Sequence, residues 1–242
     1  IIWTTTPWTI PCNRALAYNP SLEYGIYQDE DGEKIIIAKD LLDNFKSVTD
    51  KSVKILDTFN GNELRGLLAS HPFYELGYQF DVPLLEADFV TTDQGTGIVH
   101  VAPSHGPDDF ALGLKNGIKA ENTINDNGYY TNIIKYFEGT HIFKADKIVI
   151  EKLKEQNKLL KDGKLNHSYP HSWRSKAPLI YRATPQWFIS MKQNDLRSKA
   201  IKAINETTFY PNKGKERLLS MIEGRPDWCV SRQRVWGVPL PI

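Results

Sequence analysis

Over the first hundred residues, apolar and polar positions alternate in short runs broken by turn clusters. Ile1, Ile2 and Trp3 lead into the β-branched Thr4 and Thr5, so Ile1–Thr5 reads as a strand. Pro7 holds Thr6 extended and has no N–H for a ladder, which ends that strand. Ala15–Tyr18, Tyr24–Tyr27 and Lys34–Ala38 follow, separated by Asn19-Pro20-Ser21 and by Asp29-Glu30-Asp31-Gly32. The last two runs, joined through Asp-Gly, predict a hairpin. Lys39–Phe45 predicts a two-turn helix with Leu41, Leu42 and Phe45 on one side. Val53–Phe59, Glu63–Leu67 and Leu84–Thr92 are further strand-like runs. Many short strands with regular turn signals predict a closed barrel or a sandwich.

Beyond residue 93 the pattern becomes mixed. Ile98–Ala102 predicts a strand with Ile98, His100 and Ala102 on one face, after the tight turn of Gly95-Thr96-Gly97. Pro107, Asp108 and Asp109 open a short helix that Gly117 closes, with Phe110, Ala111 and Leu114 on one side. Asn122–Tyr130 is irregular, and Lys144–Leu160 carries an amphipathic helical stripe. Two strand-like runs, Leu179–Ala183 and Gln186–Met191, precede the helices Leu196–Ile204 and Glu216–Ile222. These patterns predict a mainly β domain with peripheral helices, an α+β class, over 1–185. A helical and irregular segment follows over 186–242.

Composition adds exclusions. The 242 residues are 40% hydrophobic and 24% charged, with a net charge of +1, as in an ordinary globular protein. No apolar run approaches the roughly 18 residues of a membrane span. The chain opens without a methionine or a signal-peptide pattern, and begins as if inside a strand, so an excised piece of a longer protein is expected. Cys12 and Cys229 are too few for a disulfide framework. Reduced thiols fit a cytoplasmic protein, or one of the mitochondrial matrix.

Three consecutive hydroxyls, Thr4, Thr5 and Thr6, can bind a polyol, a carboxylate, a ribose edge or a water, or simply form a solvated strand end. His100 and Asp109 are the second focus. A strand running into a Gly-Pro-Asp-Asp helix start brings both toward one crevice with free backbone N–H groups, a place to hold a small amine.

The segment Trp3–Asn13, W-T-T-T-P-W-T-I-P-C-N, resembles the entry strand of the isoleucyl-tRNA synthetase editing domain, an insertion in the class I catalytic domain. Valyl- and leucyl-tRNA synthetases carry Thr-Thr-Arg-Pro here, and Thr6 in the arginine's place points to the isoleucine enzyme. Gly95–Phe110 resembles the same family's second motif, and Asp227–Ile242 its return into the catalytic domain. The resemblance implies a closed β-barrel editing domain of the valyl/leucyl/isoleucyl type. It implies hydrolysis of valine misactivated as adenylate or mischarged on tRNA(Ile). Asp109 would bind the α-ammonium, and His100 would line the side-chain pocket and exclude isoleucine. Thr5, Thr6 and Asn13 would hold the terminal adenosine and the ester, with Thr4 beside them. Trp8 would wall the pocket and Tyr169 would reach it. Implied partners are the tRNA(Ile) 3′ acceptor end, valine and the rest of the synthetase chain, with the chain itself a monomer. The alternative is a non-catalytic module that grips the acceptor end.

His167 and His171 have helical i,i+4 spacing, but Pro170 breaks such a helix. Family members carry two cysteines where this chain has Ser172 and Ser175, so zinc is not expected. The signatures His-Ile-Gly-His and Lys-Met-Ser-Lys-Ser are absent, so no ATP or magnesium is expected here. Arg225, Arg232 and Arg234, with Trp228 and Trp236, suit either a nucleic-acid surface or packing against a catalytic domain.

Overall fold

The structure is a computed structural model and describes residues 1–166, 168–232 and 237–240. His167, Arg234 and Trp236 lie outside the described residues. The chain divides into two compact units, Ile1–Ala183 and Thr184–Ile242, of mixed α+β character.

In the larger unit, β1 (Ala15–Tyr18) pairs in parallel with β6 (Asp81–Glu86) and antiparallel with β7 (Ile98–Val101). A short β5 (Leu68–Ser70) completes the order β5-β6-β1-β7. A second sheet places β2 (Glu23–Asp29) between β3 (Lys34–Ala38) and β4 (Val53–Asn60). The hairpin expected across Asp29–Gly32 is present, with Tyr27 opposite Ile35 and Tyr24 opposite Ala38. The two-turn helix after it extends further than expected, as a 3₁₀ turn Lys39–Leu41 running into α1 (Leu42–Thr49).

Strand alternation splits the first sheet's residues between two faces. Tyr18 and Ile98 pack with Tyr24, Tyr27, Ile37 and Phe45, whereas Ala15, Ala17 and Val101 pack with Leu112 and Val90. A third cluster joins Trp8, Ile10 and Cys12 to Phe73, Tyr130, Phe137 and α3 (Ile142–Glu155). Gly97 sits where the sheets approach, with φ +77° and its absent Cβ 2.3 Å from the Ala38 Cβ. Only glycine fits both the left-handed backbone and that contact.

Several expectations are corrected. Ile1–Thr5 is not a strand. The Thr6 N–H bonds the Thr4 hydroxyl at 3.1 Å, a local turn that competes with a ladder, and Pro7–Cys12 then forms a 3₁₀ helix. Glu63–Leu67 is not a strand either. Asn60 and Glu63 form a reciprocal capping box that starts a 3₁₀ turn at Gly61–Leu64. The strand expected over Leu84–Thr92 lies at Asp81–Glu86, because the chain turns away once the Ala87 N–H has bonded Tyr18 O. The helix α2 (Pro107–Lys115) buries Leu112 and Gly113, not the expected stripe. Phe110 and Leu114 are exposed. Gly113 packs flat on Pro103, and Asp109 is tied to the end of β7, so the side bearing residues 109, 112 and 113 turns inward. The helix α3 starts at Ile142 because the His141 imidazole accepts the Phe143 N–H, and it stops before Asn157, whose φ is +54°. Leu179–Ala183 is not a strand, and Gln186–Met191 contributes only β8 (Phe188–Ile189).

In the smaller unit, β8 pairs with β9 (Trp228–Cys229), while α4 (Leu196–Glu206) packs against α5 (Lys213–Glu223). Few of its side chains are buried, Met191 and Ile204 among them. Among the described residues no helix is long and apolar enough to cross a membrane.

Candidate active site

The 3₁₀ turn and β7 bring together hydroxyls and an imidazole that lie at least 91 positions apart. The Thr9 hydroxyl donates to Thr6 O at 2.8 Å, and its Oγ1 lies 2.9 Å from His100 Nε2. A hydroxyl has one proton to give, so Nε2 carries a proton and donates it to Thr9. That leaves the Nδ1 lone pair toward the Asn13 amide, at the long distance of 3.5 Å. Asn13, almost fully buried, also donates to Ala15 O at 2.8 Å. The hydrogen bonds therefore run one way, from Asn13 through His100 and Thr9 to the Thr6 carbonyl. Burial pushes the His100 pKa down to about 4, so its imidazole is neutral at physiological pH. A second edge of the cluster is hydroxylic, with Thr6 Oγ1 3.4 Å from Thr9 Oγ1 and 3.3 Å from Thr4 Oγ1. Thr5 is exposed between them.

Asp109 stands in the first turn of α2 and accepts the Ala102 N–H at 2.8 Å. That bond holds its carboxylate against the end of β7, two residues beyond His100. Burial raises its pKa to about 6, against the lowering effect of the Ala102 N–H. No cation pairs with it among the described residues. His100 and Asp109 thus share a strand end but have different partners: Thr9 and Asn13 for the imidazole, Ala102 for the carboxylate.

Trp8 is buried, and its indole meets the His105 ring edge-on at 4.9 Å. His105 Nδ1 donates to Tyr181 O at 2.9 Å, because a carbonyl can only accept, and Nε2 therefore accepts the Thr123 hydroxyl at 2.7 Å. Burial lowers its pKa to about 4 as well. The Tyr169 phenol is held above its ordinary pKa, first by burial and then by the Asp146 carboxylate, which receives the Trp8 N–H. Tyr169 therefore lies on the Trp8 side of the cluster. Thr9, His105, Tyr130 and Asp146 were missed in the sequence. Thr9 lies one 3₁₀ turn from Thr6, in a segment to which the sequence pattern assigns no element, and the other three meet the turn only through long-range contacts.

A cleft of about 460 Å³ opens beside these groups, lined by Arg14, Tyr78, Phe80, Glu121 and Lys135. Its Arg14 is already engaged, donating to Asn13 O at 2.8 Å, pairing with Glu121 at 3.1 Å and lying over the Phe80 ring. Among the described residues no group of three or more His, Cys, Asp or Glu side chains could hold a metal ion.

The model of the family described as tRNA synthetases class I (I, L, M and V) matches residues 4–242. The chain belongs to that family. Along its whole length it is 63% identical to an isoleucine–tRNA ligase of Pelagibacter ubique and 49% identical to one of Francisella tularensis. It spans 27% and 26% of the lengths of those two synthetases. The resemblance to isoleucine's synthetase carried by Thr6 is therefore borne out. A crystal structure described as GlLeuRS-CP1 shares the fold, with a TM-score of 0.52 at 18% identity over 64% of this chain and 79% of that one.

Proposed function

We propose that this chain is an editing hydrolase that removes valine from mischarged tRNA(Ile), or from the valyl-adenylate, within an isoleucine–tRNA ligase. The observation that carries this reading is the one-way hydrogen-bond chain Asn13–His100–Thr9–Thr6, set beside a half-buried carboxylate, Asp109, with no cation paired to it among the described residues. An aminoacyl ester brings an ammonium, a small side chain and a ribose, and each has a counterpart here. Asp109 takes the ammonium. The rigid, neutral His100 and the Trp8 ring bound the side chain. Thr4, Thr5, Thr6 and Asn13 face the ribose and the ester.

One methylene is worth only about 1–3 kcal/mol in a binding pocket. A synthetic site therefore discriminates weakly against valine, whereas a second pocket too small for isoleucine rejects by overlap. The ester is already activated, so water placed by the threonine hydroxyls and polarisation of the carbonyl suffice without a protein nucleophile. His100 serves as a wall and not a base, since its Nε2 proton is committed to Thr9 and its basicity is low. The partners in this reading are the tRNA(Ile) acceptor end and the remainder of the ligase, with the chain acting as a monomer in the cytoplasm. The two sheets are read as one closed barrel, supported by the Ala38 N–H to Thr96 O bond of 2.9 Å that links them.

The low basicity of His100, whose Nε2 proton is committed to Thr9, favours one second reading, an acceptor-end binding module without chemistry. One assay separates the two. The chain, and a full-length ligase that carries it, are incubated with valyl-tRNA(Ile) and isoleucyl-tRNA(Ile). Selective valine release is expected. Binding of both without release by the ligase supports the module, and no selectivity at all defeats the sieve.

A further inference from the structure

Trp8 is fixed at three points by residues remote in sequence. Its N–H donates to Asp146 Oδ1 at 2.9 Å, its carbonyl accepts the Tyr130 hydroxyl, and its ring meets His105 edge-on. The 3₁₀ helix Pro7–Cys12 needs such help. The first N–H groups of a helix have no internal partner, and Thr6 in the N-cap position makes no side-chain cap bond. The missing acceptor comes from α3, which packs closely on the turn through Ala145 and Val149. Burying that apolar stripe does not require an acid at 146. The carboxylate is itself desolvated, with its pKa raised by burial against the lowering effect of the Trp8 N–H. Even a half-buried acid is costly unless it is bonded, and here its bonded partner is the Trp8 amide.

We propose that Asp146 is a positioning residue that sets side-chain specificity. From the second turn of α3 it caps the Pro7–Cys12 turn at Trp8, and so holds the Trp8 wall and the adjoining Thr9, which in turn fixes the His100 imidazole. The proposal rests on the hydrolase reading above. A pocket that rejects by overlap must have walls that do not yield, because a wall that relaxes by a fraction of an ångström admits the extra methylene. Asp146 is thus not a catalytic residue. Its effect reaches substrate through the backbone amide of Trp8.

The test compares Asp146→Ala with Asp146→Asn, which keeps an acceptor oxygen for the Trp8 N–H. Hydrolysis of valyl- and isoleucyl-tRNA(Ile) is measured with the full-length ligase that carries the chain. Exchange of the Trp8 amide proton is followed by NMR on the 15N-tryptophan-labelled chain. Asp146→Ala is expected to lower the valyl-to-isoleucyl kcat/KM ratio about tenfold, the low end of what a methylene is worth in a fitted pocket. The change should come mainly from gained isoleucyl hydrolysis, with faster Trp8 exchange. Asp146→Asn should stay close to the parent in both readouts. A merely stabilising role would lower both rates together and leave the ratio unchanged, which overturns the proposal. Equal effects of the two variants overturn it as well. If the parent ligase hydrolyses neither ester, the hydrolase reading fails on its own, and unaltered Trp8 exchange in Asp146→Ala then removes the positioning role independently.

Discussion

At the scale of single residues, the site depends on which groups stay neutral and which are charged. In the proposed hydrolase Asp109 must be ionised to hold an ammonium, and burial raises its pKa to about 6. The acid form is then populated below that value and the carboxylate above it. Valine release is therefore expected to rise with pH through about 6, and Asp109→Asn should both lower the rate and flatten that limb. A kcat/KM profile from pH 5 to 8 checks it. Folding stability should move the other way. Because the folded state holds the proton more tightly than the unfolded one, stability contributed at Asp109 falls as pH rises from about 4 to about 6. His100, with its pKa near 4, contributes no limb in that range. His100 and Asp109 were legible in the sequence because strand alternation and a helix start expose them locally. Thr9 was not. Its role depends on its hydroxyl bonding back to Thr6 O within a 3₁₀ turn, and the sequence pattern assigns no element to Pro7–Cys12.

At the scale of elements, the sequence predicted the hairpin of β2 and β3, the strand β7 and the start of α2 from turn residues and alternation. It misplaced the inward face of α2 because a hydrophobic count gives Gly113 no weight, although its bare surface is what seats the helix on Pro103. The junction of β3 with the chain entering β7 depends on another glycine. Gly97→Ala would place a methyl 2.3 Å from the Ala38 Cβ on a backbone with φ +77°. The left-handed backbone costs about 1–2 kcal/mol, and overpacking adds about 1–3 kcal/mol. Urea unfolding should therefore show a clear loss of stability, and an unchanged midpoint would mean that the sheets do not meet there.

At the scale of the whole chain, all three apolar clusters lie within Ile1–Ala183. Residues 1–183 produced alone should unfold cooperatively with the same midpoint as the full chain. Under limited proteolysis the first cuts should fall beyond residue 183, where few side chains are buried. Loss of cooperativity in the shortened chain would show that the larger unit depends on the smaller. The chain divides after Ala183, and nothing local in the sequence could show that α3 reaches back to the first turn. That turn ends in Cys12, which is buried and whose pKa burial pushes up to about 12. A thiol so rarely ionised is neither a nucleophile nor a target for oxidants. The turn carrying Trp8 and Thr9 thus ends in a sulfur that packs in the core beside the Thr123 hydroxyl. Its burial keeps this thiol out of reach of solvent oxidants, so the turn it ends is not a redox-sensitive point of the fold.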